Sequence, residues 1–108
     1  MTAHHSVQAA LQDLEVVLKR ADLWPQTQPA PADFESTQPF CVDTMTLPQW
    51  LRFVFIARLQ ALLDAHSPLP QHCDVAPAME VYLKDSPMAE KPTVIAAIDR
   101  VDRAVTQA

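Results

Sequence analysis

Apolar residues recur at three- and four-residue steps across residues 5–23. Val7, Leu11, Leu14, Leu18 and Ala21 form the stripe, widened by Ala10 and Val17. Gln8, Gln12, Glu15 and Lys19 fall on the other face, with Glu15 and Lys19 spaced as an i,i+4 pair. This is the pattern of an amphipathic helix, and Pro25 comes after it as a stop signal. A second helix is predicted over 47–65. Thr46-Leu47-Pro48-Gln49 reads as a capping box: Thr46 caps and Gln49 reaches back. Pro48 falls in the first turn, where its missing N–H is not needed. Met45 and Trp50 take the two positions of a hydrophobic staple. From Trp50 to Leu63 this helix is apolar nearly all round, which predicts a central place in the fold.

A short third helix is predicted near 75–84, with Asp74 as its cap and Val75, Met79 and Tyr82 on one face. A fourth is predicted over 90–106, striped by Val94, Ile98, Val101 and Val105, with Asp99, Asp102 and Arg103 outside the stripe as solvated positions. Between the first two helices runs a long connector, residues 24–45, with Pro25, Pro29, Pro31 and Pro39. A connector of that length is uncommon in a compact domain unless something pins it. Trp24, Phe34, Phe40, Val42 and Met45 are the pinning residues, and Gln26 to Ala32 is expected to be the mobile half. Four amphipathic segments, no strand pattern and short later loops predict one all-α domain, a four-helix bundle over residues 1–108.

Composition sharpens this picture. The chain has no glycine and no asparagine. Tight hairpin turns with positive φ therefore lack their usual residues, which argues against a sheet of many hairpins. The same absence removes the glycine-rich phosphate loops, the dinucleotide fingerprint and the nucleophile elbow. The formal net charge is −5. An autonomous nucleic-acid binder needs a basic stripe, so no direct nucleic-acid contact is expected. The acidic balance serves solubility or offers an acidic face to a basic partner. Two cysteines make no disulfide framework. With no apolar run of membrane-spanning length and no leader-like start, the expected setting is the reducing cytoplasm, away from membranes.

Candidate chemistry is sparse. At about 100° per residue, Arg58 projects into the apolar arc of the second helix, between Leu51, Val54, Phe55 and Leu62. A guanidinium there requires an ion pair with Asp43, Glu80 or another acid, an escape to the rim, or an anion supplied by a partner. Arg58 and Asp43 are therefore the candidate site, structural or anion-binding. His66, His72 and Cys73 lack metal-ligand spacing, and a Thr2-Ala3-His4 start is common by chance, so no metal or cofactor is assigned. Cys41, between Phe40 and Val42, reads as a packed thiol. No His, Ser, Cys or acid constellation reads as catalytic. Phe34, Phe40 and Phe53 are the candidate partner surface, to the extent that the core leaves them uncovered.

The segments Ser36-Thr37-Gln38-Pro39-Phe40, Asp43-Thr44-Met45 and Gln49-Trp50-Leu51 through Arg58, with Leu69-Pro70 and Ala76-Pro77, resemble the YqcC-like family of small bacterial proteins. The resemblance covers nearly the whole chain. It implies a four-helix domain with no assigned activity and no catalytic residues to carry over. Members' genes often lie beside that of tRNA pseudouridine synthase C, which suggests a tRNA-modifying enzyme as one candidate partner. Two functions are expected. The first is a non-enzymatic accessory protein acting by protein–protein contact. The alternative is a helical bundle that binds a small anionic ligand beside Arg58, which requires a pocket there.

Overall fold

The computed structural model describes residues 3–107. Among them are four helices and no strand. Helix α1 spans Ala3–Arg20 and α4 spans Lys91–Thr106. Their stripes meet as the periodicity predicts. Val7, Leu11, Leu14 and Leu18 from α1, and Val94, Ile98, Val101 and Val105 from α4, are all buried in one core. This α1–α4 pair is the centre of the molecule, in place of the second helix. The polar faces stay outside, where Lys19 and Glu15 pair at 3.3 Å.

Helix α2 occupies 47–64 in three continuous pieces: an α-helical turn Leu47–Trp50, a π-helical stretch Leu51–Ile56, and an α-helix Ala57–Asp64. Its start is the predicted capping box. Thr46 N donates to Gln49 Oε1 at 2.8 Å and Gln49 N to Thr46 Oγ1 at 3.3 Å. The π stretch turns the rest of the helix out of its ideal register. Its wider turns rotate less per residue, so by Ala57 the side chains lag by roughly one residue's rotation. Leu51, Phe55, Leu59 and Leu63, at steps of four, therefore stay on one buried face. An ideal helix would drift by about 40° at each such step.

Helix α3, Ala76–Tyr82, packs on α4. Its buried face is Val75, Met79 and Leu83; Tyr82 is exposed, contrary to the predicted grouping. Asp74 is exposed and does not cap it. The cap comes from across the fold. Asp102 of α4, expected in solvent, is only 5% exposed and is the buried charged residue among those described. Its Oδ2 accepts from the backbone N–H of Val75 at 2.9 Å and of Ala76 at 2.7 Å. Its Oδ1 accepts from the Cys73 thiol at 3.0 Å. Thr106 Oγ1 accepts from Cys73 N at 3.2 Å, tying the same loop to the end of α4.

The absence of glycine leaves a mark on the backbone. Asp22 (φ 59°) and His66 (φ 53°) hold the left-handed positions that end α1 and α2. Each closes a Schellman pattern: Leu23 N donates to Leu18 O and Asp22 N to Lys19 O, and Ser67 N donates to Leu62 O and His66 N to Leu63 O. Phe40 (φ 57°) and Cys41 (φ 49°) are left-handed in succession. An aromatic side chain there is uncommon and costs energy.

The connector makes specific contacts along its length, including the part expected to be mobile. Gln49 Nε2 donates to Thr27 O at 2.9 Å, Gln26 Nε2 donates to Leu23 O at 2.9 Å, and Pro29 is buried. Short 3-10 turns form at Pro31–Glu35 and Pro39–Cys41. Thr44 Oγ1 donates to Asp33 O at 2.7 Å, joining the two. No helix among the described residues is long and apolar enough to cross a membrane.

Candidate functional site

Arg58 does not enter the core. It is exposed and makes no ion pair or hydrogen bond among the described residues. Asp43 is also exposed, and its Oδ1 accepts from the Ser36 hydroxyl. The expected Arg58–Asp43 pair is therefore not formed. The π stretch is the reason: the lag it introduces puts Leu59 where an ideal helix would have put Arg58. The arginine that α2 does engage is Arg52. Its guanidinium lies 4.5 Å from the centre of the Trp24 ring and 5.0 Å from that of Phe53, and it donates to Trp24 O. This locks the start of the connector to α2 through a cation–π stack.

The three candidate aromatics separate. Phe53 is half-buried beneath Arg52. Phe34 is exposed in the first 3-10 turn. Phe40 meets Trp50 edge-on, ring centres 4.9 Å apart, and Trp50 stacks on Phe55 at 5.5 Å. Phe40 lines two neighbouring depressions.

These depressions arise from how the helices pair. Helix α2 packs on α1 and α3 packs on α4, and α2 and α3 share one buried core through Leu51, Phe55 and Leu59 on one side and Val75, Met79 and Leu83 on the other. Outside that core, the end of the connector and the first turn of α2 face α3 across a trough. Its middle, about 580 Å³, has Phe40, Val42 and Leu47 on one wall and Ala78, Val81 and Tyr82 on the other. Thr46 and Tyr82 are shared with a second depression of about 500 Å³ that ends at Asp85 and Met88. Phe40 is shared with a third, about 370 Å³, that holds Arg58, His72 and Asp74. The middle is the apolar part. Val81 is 75% exposed, Val42 70% and Tyr82 49%. Periodicity alone missed this surface, because Val42 lies in a connector and Val81 borders a stripe.

Two other places can be set aside. A depression of about 760 Å³ between α1 and α4 is lined by Arg100 and Arg103. Those cations are already matched, Arg100 with Asp13 at 3.6 Å and Arg103 with Asp99 at 2.8 Å. The Cys73–Asp102–Thr106 cluster, with Asp102 buried, Cys73 half-buried and Thr106 exposed, does not favour a thiolate. Burial, then the Asp102 hydrogen bond and its negative charge, push the Cys73 thiol far above the ordinary thiol range. Among the described residues no group of His, Cys, Asp and Glu could hold a metal ion. Part of the Thr2-Ala3-His4 pattern lies outside the described residues.

Comparison with known proteins fits these features into a family. The model of the DUF446 family, described as tRNA pseudouridine synthase C, matches residues 6–104. The uncharacterized protein YqcC of Escherichia coli K12 is 40% identical over 103 residues, 94% of this chain and 93% of that protein. An uncharacterized protein of Haemophilus influenzae is 39% identical over 75 residues, 69% of this chain and 71% of that one. A protein of Pectobacterium carotovorum named tRNA pseudouridine synthase C is 38% identical over 71 residues, 66% of this chain but 19% of that protein. The solution NMR structure of E. coli YqcC superposes with a TM-score of 0.82 at 38% identity, covering 98% of this chain and 90% of that one. The all-α, four-helix expectation and the family resemblance both hold, and the chain belongs to the YqcC-like DUF446 family.

Proposed function

We propose that this chain is a non-enzymatic accessory protein that acts by contact with a tRNA pseudouridine synthase. One observation carries the reading: the same domain makes up about a fifth of a protein named tRNA pseudouridine synthase C. Where a domain shares a chain with an enzyme in one organism and stands apart in another, the two surfaces have reason to meet in both. The acidic balance supports a role beside the tRNA and not on it, since phosphate contacts need cations. Lys19, Arg100 and Arg103 of α1 and α4 are engaged by Glu15, Asp13 and Asp99 of the same pair. Two free thiols fit a reducing cytoplasm. The alternative, a small anionic ligand held by Arg58, is less well supported, because an anion entering that depression meets Asp74 as well.

The test is pseudouridine formation in tRNA by the separately purified synthase C of the same organism, with and without this chain. The expected result is a higher rate or a changed tRNA preference when the chain is added, with no activity from the chain alone. An unchanged rate and preference across a saturating titration overturns the accessory reading.

A further inference from the structure

We infer that the trough between α2 and α3 is the seat of a basic amphipathic helix presented by a partner protein. The inference deepens the accessory reading and rests on it only in taking the partner to be a protein. Three independent features carry it.

The first is the open bundle. Helices α1 and α4 form the centre, α2 packs on α1 and α3 on α4, and beside their shared core the connector end and the first turn of α2 leave an apolar trough against α3. A fifth helix laid there would complete the layer that the chain leaves incomplete, in the helix-in-groove manner. The described residues offer no strand edge, so an extended segment would find no backbone ladder to join.

The second is the cost of building the floor. Phe40 and Cys41 both hold left-handed conformations, which seat the Phe40 ring against Trp50 as the ridge between two depressions. A strained backbone persists where its surroundings over-determine it, and such places cluster at binding surfaces. The exposed Val42 and Val81 face the same floor, and none of the described residues covers them.

The third is charge, which selects the occupant. From Ala21 to Leu51 the chain has no Lys, Arg or His, while Asp22, Asp33, Glu35 and Asp43 are acidic. The wall that this segment builds is thus free of Lys, Arg and His, and Asp43, next to Val42 in sequence, is exposed with its Oδ1 accepting from the Ser36 hydroxyl. Asp85 closes one end of the trough and Asp74 the other, where Arg58 is the single Lys or Arg of the lining. A helix with an apolar stripe flanked by lysine or arginine matches both floor and rim, and an acidic helix would be repelled.

The experiment uses the full chain, isotopically labelled for NMR, and two designed helical peptides of equal length: one of leucine and lysine, one of leucine and glutamate. The expected result is saturable shifts for the leucine–lysine peptide at Phe40, Val42, Ala78 and Val81, with the leucine–glutamate peptide roughly tenfold weaker or weaker still. Val81→Lys puts a cation on the floor at an exposed position and should weaken the basic peptide by about tenfold or more, with the circular dichroism unchanged. Absence of saturable shifts, shifts centred elsewhere, or equal binding of the two peptides overturns the inference. A second arm titrates Val81→Lys with the synthase. If the synthase binds wild type and variant equally, this seat is wrong and the accessory reading stands. If the synthase ignores wild type while the basic peptide seats in the trough, the accessory reading falls and the seat stands.

Discussion

Replacing Asp102 by alanine removes one acceptor from three donors: Val75 N–H, Ala76 N–H and the Cys73 thiol. The two backbone groups open α3, which has no side-chain cap of its own. A buried donor left without a partner costs about 1–3 kcal/mol. Two such donors, less what water recovers by entering the vacated space, predict a loss of about 2–4 kcal/mol; the thiol is a weak donor and adds little. Asp102→Asn keeps one oxygen for the two N–H groups but loses the charge and the acceptor for the thiol. It should cost about 1–2 kcal/mol. The assay is urea unfolding, read as a shift in midpoint at unchanged m-value. Hydrogen exchange of the Val75 and Ala76 amides should accelerate in parallel. A loss below about 0.5 kcal/mol for Asp102→Ala, the level of an ordinary surface substitution, would refute the capping role.

The same structure sets four further outcomes. Arg58→Met should change stability by less than about 0.5 kcal/mol, whereas Arg52→Met, which loses the Trp24 and Phe53 rings and the Trp24 carbonyl, should cost about 1–2 kcal/mol; equal effects in urea titrations would contradict the register argument. His66→Gly should stabilise by about 0.5–1 kcal/mol, because a left-handed residue with a Cβ is replaced by one without; a loss of thermal stability would count against it. Thr46→Ala should cost about 1 kcal/mol, and Gln49→Ala a similar amount because Gln49 also holds Thr27 O; a neutral Gln49→Ala would remove that tie. The Cys73 thiol is held protonated in the fold while the unfolded thiol ionises near about 8.5, so the unfolded state releases a proton that the folded state keeps. Stability should therefore fall as pH rises past that value, and Cys73→Ala should flatten the fall; identical slopes between about pH 8 and about pH 10.5 would exclude it.

The stripes of α1 and α4 were legible because each is a regular helix of several turns whose apolar positions all face one neighbour. The α2 start was legible because its cap is local, written within Thr46 to Gln49. Arg58 was not, because no spacing rule announces a π stretch, and a projection carried across one is wrong by about a residue. Asp102 was not, because its partners lie on another helix, though its place beside Ile98 at the edge of the stripe was a usable hint. Asp74 drew the capping assignment by adjacency, where the fold uses an acid distant in sequence. The trough was illegible for the same reason: a connector and a helix distant in sequence build it together, and sequence periodicity describes each helix alone.

The most direct measurement is calorimetric titration of the full chain into the purified tRNA pseudouridine synthase C of the same organism, without tRNA and at two salt concentrations. The expected result is a one-to-one complex that weakens as salt rises, since an acidic rim meets a basic helix, and that Val81→Lys weakens by about tenfold or more. A synthase that gives no binding heat and no co-elution with the wild-type chain would contradict it.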